Sequence, residues 1–510
     1  MSRSFRRAAP RLAVAAALAL LAGCEAGPDY VRPSAPVPAA YKETDPGWKI
    51  GQPEDAIDRG AWWSIYRDPV LDGLERQIDI SNQTLKAEEA AFRQSEALAA
   101  QARAGLFPTL SANASAQRSR GGGGGGGGST GAGVSSRGGG GISNFFDLTA
   151  NASWTPDLWG SVRRQIENTE ATAQASAGTL AGARLSAQGT LASDYLEVRV
   201  ADELKRLLEQ AVAAYSRSLQ ITQNQFRSGT ASQSDVAQAQ AQVDQTRAQL
   251  IAVGVSRAQF EHAIAVLIGR PPAEFSIAPV NDVLAVPQVP PGMPSALLER
   301  RPDIAVAERQ MAAQNAEIGV AEAAFYPTVT LSADYGAASS MLSTLFNPAN
   351  RIWAFGSTAA QTLFDGGTRQ ATLAAQRAGF DQTVATYRQT VLSAFQQVED
   401  ELAALRILHQ QAAAAASATA AAREAERVIN NQYLAGTQAY TAVIVAEQTA
   451  LADAENQLTI RQSELVASVA LIQALGGGWN AAQLPSSERI ESDQPLNFSP
   501  IPAPDPHPVK

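Results

Sequence analysis

Residues able to carry chemistry are scarce in this chain of 510 residues, which holds one cysteine, three histidines and four methionines. A lone cysteine, Cys24, excludes an intrachain disulfide. His262, His409 and His507 are scattered and read as surface or seam residues. They cannot join Cys24 in a zinc site or a Cys/His nucleophile, so no enzyme, metal or cofactor is expected. Glu399, Asp400 and Glu401 read as a solvated helix face. Aromatics make up 6% of the chain and charged residues 17%, which suits helices packed along their length, not one large globular core. There is no basic cluster. Net charge is −9, and Arg3, Arg6, Arg7 and Arg11 fall in the first 23 residues with no acid, leaving the remainder near −13 (−9 − 4). Nucleic acid is therefore excluded as a partner. Proline is missing from two long stretches, 157–270 and 367–476.

Those stretches organise the chain. In the second, Val384, Val391, Val398 and Leu405 recur every seven residues, with Phe380, Tyr387 and Leu402 at interleaved steps. Then comes a turn, Asn431-Gln432-Tyr433-Leu434-Ala435-Gly436-Thr437, followed by Ile444, Leu451, Leu458, Leu465 and Ile472. This predicts a helical hairpin with coiled-coil seams. Its first arm would be on the order of 100 Å long, too long for a globule. The first stretch repeats the plan around Asn224-Gln225-Phe226-Arg227-Ser228-Gly229-Thr230, with Val236, Val243, Leu250 and Ile264 in one heptad phase. Ala239, Thr246, Val253, Phe260 and Leu267 occupy the other phase, and Arg257 breaks the pattern. The glycines of the two turns, Gly229 and Gly436, are 207 residues apart. Leu106-Phe107-Pro108-Thr109-Leu110-Ser111 matches Phe325-Tyr326-Pro327-Thr328-Val329-Thr330 at a spacing of 219, so the first half carries an insertion, where the glycine tract lies. The chain is an internal duplication.

Residues 1–23 read as an export signal: a basic start, an apolar core over 12–21 too short to span a membrane, and Leu21-Ala22-Gly23-Cys24, which resembles a lipobox. Cys24 is the expected lipidation site, its acyl chains held in outer-membrane lipid; Glu25 favours outer-membrane sorting. Residues 24–60 are proline-rich and predict an extended tether. Residues 61–270 form repeat 1, 271–295 a proline-rich connector, 296–484 repeat 2, and 485–510 a polar tail, partly disordered.

Alternation of period two marks four expected strands, about 108–118, 145–155, 327–336 and 352–363. Leu110, Ala112, Ala114 and Ala116 alternate with polar residues, as do Phe146, Leu148, Ala150, Ala152 and Trp154, and Val329, Leu331, Ala333 and Tyr335. The fourth run alternates poorly, though Trp353 and Phe355 share a face. Runs of about ten residues with one polar face fit transmembrane barrel strands. Four strands cannot close a barrel, and an open edge in lipid leaves backbone groups unpaired. Several chains must share it, and three would give twelve strands. The glycine-rich stretch between the first two strands reads as an extracellular loop. It satisfies a GxGxxG pattern without a βαβ context, so no nucleotide site follows.

Several stretches together resemble the TolC family of outer-membrane efflux proteins, in the lipoprotein branch serving resistance–nodulation–division pumps. They are Cys24 with Gly27-Pro28-Asp29-Tyr30-Val31-Arg32-Pro33, Trp62-Trp63, Glu299-Arg300-Arg301-Pro302-Asp303-Ile304, Ile318-Gly319-Val320-Ala321, Phe325-Tyr326-Pro327, Leu363-Phe364-Asp365-Gly366-Gly367 and the two glycine turns. The resemblance implies a mainly α fold with a membrane β-barrel. A homotrimer would build a 12-stranded barrel continuous with a 12-helix periplasmic α-barrel. It implies a passive exit duct docked to a periplasmic adaptor (membrane fusion) protein and an inner-membrane resistance–nodulation–division pump. Other readings are a duct for type I protein secretion or metal-ion efflux, and a structural periplasmic coiled-coil lipoprotein without a pore.

In that family the periplasmic end closes through contacts near the hairpin tips. Asp235 matches an acidic member of the network, but its arginine partner is Gln438 here, and the carboxylates of the narrowest ring fall at Ala442 and Val445. An apolar constriction near Tyr440, Ala442 and Val445 is expected instead, closing by packing and dewetting. Asp235 serves equally well as a helix N-terminal carboxylate. The tips, Ser228, Gly229 and Thr230 with Ala435, Gly436 and Thr437, are expected to meet the adaptor.

Overall fold

The computed structural model describes residues 25–43, 61–120, 142–280, 284–289 and 297–496. Cys24, His507 and the glycine-rich loop lie outside the described residues. Two short helices, α1 (Pro69–Ser81) and α2 (Gln83–Ala104), lead into strands β1 (Thr109–Arg120) and β2 (Ile142–Trp154). The first hairpin follows as α3 (Ser161–Arg227) and α4 (Gln233–Leu267). After the connector come α5 (Pro302–Ala323), β3 (Thr328–Ser339) and β4 (Arg351–Ala360). The second hairpin is α6 (Thr368–Leu434) and α7 (Tyr440–Ala474), and α8 (Ser487–Asp493) ends the described chain.

The duplication holds to the residue in the long helices and in the first strand of each half. α3 and α6 each have 67 residues, α4 and α7 each 35, and their starts differ by 207 (161 and 368; 233 and 440). α2 and α5 each have 22 residues and β1 and β3 each 12, with starts 219 apart. Both hairpins turn the same way. Gly229 and Gly436 sit at φ 77° and 75°, where a side chain would be strained, and Thr230 and Thr437 donate back to Gln225 O and Gln432 O at 2.9 Å each. That is a Schellman cap, and it satisfies carbonyls the helix end would otherwise leave bare.

The apolar core sits midway along the long helices, where the short elements wrap them. Trp62 and Trp63 meet edge to face, with Leu71 and Ile78 behind them, against Tyr195 and Leu196 of α3 and Leu465, Val469 and Ile472 of α7. Asp68 ties the layers. It caps α1 through Val70 N and Leu71 N and accepts from Tyr195 Oη at 2.7 Å and Arg199 Nη1 at 2.8 Å.

The structure amends several expectations. The helical run from Pro69 breaks at Asn82, whose side chain caps α2 at Leu85 N. β4 ends at Ala360, because the Gln361 amide turns back to Phe325 O and Asp365 caps α6 at Arg369 N. Toward the tip of α7, Ile444 and Leu451 are only half-buried. The covered seam there is Val443, Ala446, Ala450 and Ala454, small residues that let helices approach closely. The stretch 25–43 does not hang free: it is strapped along the body. Glu399, expected on a solvated face, accepts the backbone N–H groups of Lys42 (2.8 Å) and Glu43 (3.0 Å). Within the polar tail expected to be partly disordered, α8 is docked, since Ile490 is buried with Ala99 and Ala173, while 497–510 lie outside the described residues.

Candidate functional site

The four strands form one antiparallel sheet in the order β1-β2-β3-β4. Its register aligns the alternation of every strand. Leu110 faces Ala152, Ala114 faces Leu148, Ala150 faces Tyr335, and Tyr335 faces Trp353. One side of the sheet is thereby apolar over its middle, including Trp353 and Phe355 of the poorly alternating fourth strand, with Ser357 within it and Arg118, Arg120, Asn144 and Arg351 toward its far end. The other gathers Asn113, Thr149, Asn151 and Asp334. Leu110, Tyr335, Trp353 and Phe355 on the apolar side are 79%, 60%, 70% and 78% exposed. An apolar outer face and a polar inner face suit a wall between lipid and water.

The base of the sheet is marked by aromatics. Trp159 stacks on Tyr326 with centroids 4.8 Å apart and donates to Pro327 O at 2.7 Å, while Trp154 donates to Leu106 O at 3.0 Å. Such rings belong at a membrane–water boundary. The strap begins at this level. Ala26 N donates to Trp159 O, Gly27 (φ 90°) presses so close to Gly319 that a Cβ would lie 2.4 Å from its Cα, and Arg164 grips Ala26 O and Gly27 O. Residue 25 therefore stands beside the Trp159–Tyr326 pair.

At the far end, the tips are exposed and hydrogen-bonded within themselves. Ser228 and Thr230 hydroxyls both bond Gln225 O, and Thr437 bonds Gln432 O. Asp235 forms a capping box with Ser232: its carboxylate accepts from Ser232 N at 2.9 Å, and its N–H donates to Ser232 Oγ at 3.2 Å. That is the helix-capping role rather than a paired lock. Gln438 likewise spends its carbonyl on the neighbouring Ala439 N.

Of the expected constriction residues, Tyr440 is misplaced. It is 4% exposed and lies in the joint between the two hairpins, its ring against Tyr433 and its hydroxyl 3.3 Å from Ser218 Oγ. The phenol needs a partner once buried, and α3 supplies one. Ala442 is half-buried and Val445 is 62% exposed, in an apolar groove between α6 and α7.

Two features of the joint escaped sequence reasoning. Tyr433 donates to Gln225, and Tyr215 donates to Glu447 O at 2.9 Å. Glu447 itself is 5% exposed. Burial, reinforced by the neighbouring Glu426 charge, pushes its carboxyl up to about 7, against a weaker opposing pull from Ser218. A lone glutamate at a seam position of α7 would have been the only sequence signal. The remaining helix surfaces are unfinished. α4 is apolar enough over its best window to cross a membrane (mean hydropathy 1.3), yet 11% of that window is buried. Ile251 and Val255 stand 69% and 60% exposed.

A sheet with a lipid-suited face above four helical arms is the architecture of known outer-membrane channels. The family model described as outer membrane efflux protein matches residues 75–270 and 293–477. Two proteins of Pseudomonas putida, the probable efflux pump outer membrane protein TtgC and the antibiotic efflux pump outer membrane protein ArpC, are each 30% identical to this chain over 472 residues. The match covers 92% of this chain and 95% of theirs. The solved outer-membrane channel OprN superposes with a TM-score of 0.80 at 28% identity, over 89% of this chain and all of that one (100%). These are channels, not enzymes, and this chain has their fold and their role as an outer-membrane exit for efflux. It belongs to the outer membrane efflux protein family.

Proposed function

We propose that three copies of this chain close a twelve-stranded barrel in the outer membrane and a twelve-helix tunnel beneath it. The duct takes drugs or other small molecules from a periplasmic adaptor and a resistance–nodulation–division pump and passes them outward without using energy itself. One observation carries this reading: among the described residues the sheet ends in two unpaired edges, β1 and β4, although the middle of its outer side is suited to lipid. In a bilayer each unpaired backbone group costs several kcal/mol, so the edges must find each other across copies. The exposed apolar side of α4 supports the same arrangement. Cys24 is acylated in this reading, and the strap supports it by standing residue 25 beside the Trp159–Tyr326 pair at the foot of the sheet. The tips at Gly229 and Gly436 meet the adaptor, while Ala442 and Val445 narrow the periplasmic end.

The test is the mass and conductance of the full chain purified in detergent. A three-chain particle that conducts ions in planar bilayers is expected, and labelled palmitate should enter the wild type but not Cys24→Ser. A particle of one chain, or three chains without conductance, would refute the duct.

A further inference from the structure

The four strands carry five charged residues, and the register sorts them by sign. Asp147 lies opposite Ser115, and Asp334 opposite Asn151, both on the polar inner side of the sheet. Arg118 and Arg120 continue the side of β1 that begins with Leu110, and Arg351 shares the side of Trp353 and Phe355 on β4. Every cation of the sheet therefore stands on the face suited to lipid, and both anions stand on the other. That needs a reason, because an arginine on the lipid side of a barrel is strongly destabilising at mid-bilayer depth and is tolerated only near the interfaces.

Height supplies the reason. Trp154 and the stacked Trp159–Tyr326 pair mark the foot of the sheet. Arg118 is nine residues along β1 from Thr109, and Arg351 is nine residues along β4 from its foot at Ala360. At about 3.3 Å per residue, nine residues run about 30 Å along a strand. A barrel strand leaning by about 35–45° turns this into about 21–24 Å of height, close to the roughly 25 Å of a barrel's apolar band. The arginines thus edge the band at the level of lipid headgroups. They do so at the end farthest from the long helices, which in an outer-membrane channel is the outer leaflet. Arg120 stands two residues higher, and Asn144 lies opposite Arg118.

Nothing in the chain answers this charge. All three arginines are exposed, and among the described residues none has an ion pair or a side-chain hydrogen bond. The carboxylates of the sheet are on its far side. Below the arginines the face is smooth, with Ala112, Ala114, Ala116 and Ala150 beside Leu148 and Trp353. Such a face beds acyl chains, and a guanidinium is a planar fork that matches two phosphate oxygens at once. In a ring of copies β4 of one chain adjoins β1 of the next, which brings Arg351 and Arg118 to one height on adjoining strands. Like charges so placed repel unless an anion lies between them.

We propose that Arg118 and Arg120, with Arg351 of the neighbouring copy, bind the headgroup phosphates of an outer-leaflet lipid whose acyl chains lie on the alanine-rich face below. The site is complete only across the seam between copies, so it rests on the barrel proposed above.

The experiment titrates the full chain in detergent with bisphosphorylated lipid A, and separately with the same lipid after both phosphates are removed, read by native mass spectrometry. The particle of three chains should retain one phosphorylated lipid per seam. It should hold the dephosphorylated lipid at least about tenfold more weakly, the effect of a single charge-assisted hydrogen bond. Arg118→Gln with Arg120→Gln should bring the two lipids level, and Arg351→Gln alone should weaken the phosphorylated one. Asp147→Asn, on the inner side, should change neither. Conductance in planar bilayers reports that each variant assembles; Arg118→Lys, which keeps the charge and loses the fork, replaces the double variant should that fail, and should weaken the phosphorylated lipid alone. Equal retention of both lipids by the wild type, or undiminished retention by the arginine variants, overturns the site while leaving the ring intact. Displacement of the lipid by inorganic phosphate at constant ionic strength would assign a free anion and overturn the lipid. A particle of one chain overturns the ring, and the share of Arg351 with it.

Discussion

Replacing Arg164 by methionine should loosen the amino-terminal strap without loosening the body. The arginine side chain is 3% exposed, and its guanidinium donates to Ala26 O at 3.1 Å and Gly27 O at 3.2 Å. It also pairs with Asp29 at 3.0 Å, Glu167 at 2.8 Å and Glu25 at 3.5 Å. Methionine keeps the apolar stem and loses every donor. The three carboxylates are 93%, 49% and 30% exposed, so they return to water cheaply and their pairs count for little. The two carbonyl bonds decide the matter: each involves a charged donor and contributes about 1.5–3 kcal/mol. Taking the low end for both, release of the strap becomes easier by about 3 kcal/mol, or on the order of a hundredfold in local opening. Hydrogen exchange read by mass spectrometry over residues 25–33 should accelerate accordingly, with peptides from α7 unchanged. Exchange in the variant indistinguishable from wild type would show that Arg164 does not hold the strap. Gly27→Ala attacks the same contact from the other side, because its Cβ cannot coexist with Gly319 at 2.4 Å.

Three further outcomes are expected. Glu447 binds its proton more tightly when folded, with its value raised to about 7, so the joint is strongest below the ordinary carboxyl range near 4.5 and weakens as pH rises through about 7. The difference is at most about 3 kcal/mol per chain, and Glu447→Gln should flatten the pH dependence of thermal stability between pH 5 and 8. Asp68→Ala strips α1 of its cap and Arg199 of its buried carboxylate, costing about 3–5 kcal/mol per chain, to be read from the denaturant midpoint. Val445→Asp should raise cation preference in planar bilayers, because Gln238, its counterpart in the first hairpin, stays exposed even where α7 packs against that hairpin; unchanged selectivity would mean that Val445 does not face the bore.

What the sequence made legible was whatever repeats. The missing prolines, the two glycine turns and the period of two sufficed to place the hairpins, their tips and the sheet with its apolar side. Contacts between segments far apart in the chain were not legible. Glu399 holds a strap more than 350 residues upstream, at Lys42 and Glu43, and nothing in Glu399-Asp400-Glu401 announces it. Tyr440 is a different case. It lies two residues before Ala442 and five before Val445, about 200° and 140° away around the helix, so the helical period already separates it from their face, and only its partner in α3, Ser218, was out of reach of the sequence.

The break in the heptads at Arg257 shows how the halves were free to diverge. Arg257 pairs with Asp202 at 2.6 Å, and the same two positions 207 residues on are Glu464 and His409, 3.7 Å apart. Arg257 and Asp202 side chains are 16% and 4% exposed, so removing one partner alone would bury a charge without its mate, at a cost of about 3–5 kcal/mol. His409 is 87% exposed, so the second half makes no such buried pair at these positions. What surrounds each pair differs as well. Arg257 and Glu261 hold the connector at Ile277, whereas Ser468, the counterpart of Glu261, bonds the Tyr66 hydroxyl at 2.6 Å. Each half is altered where a different outer segment wraps it, while the helix lengths of 67 and 35 residues stay equal. A single residue added to one hairpin would shift its tip by about 1.5 Å and rotate every seam position beyond it by about 100°. Tips that must end in one plane can change their surfaces but not their length.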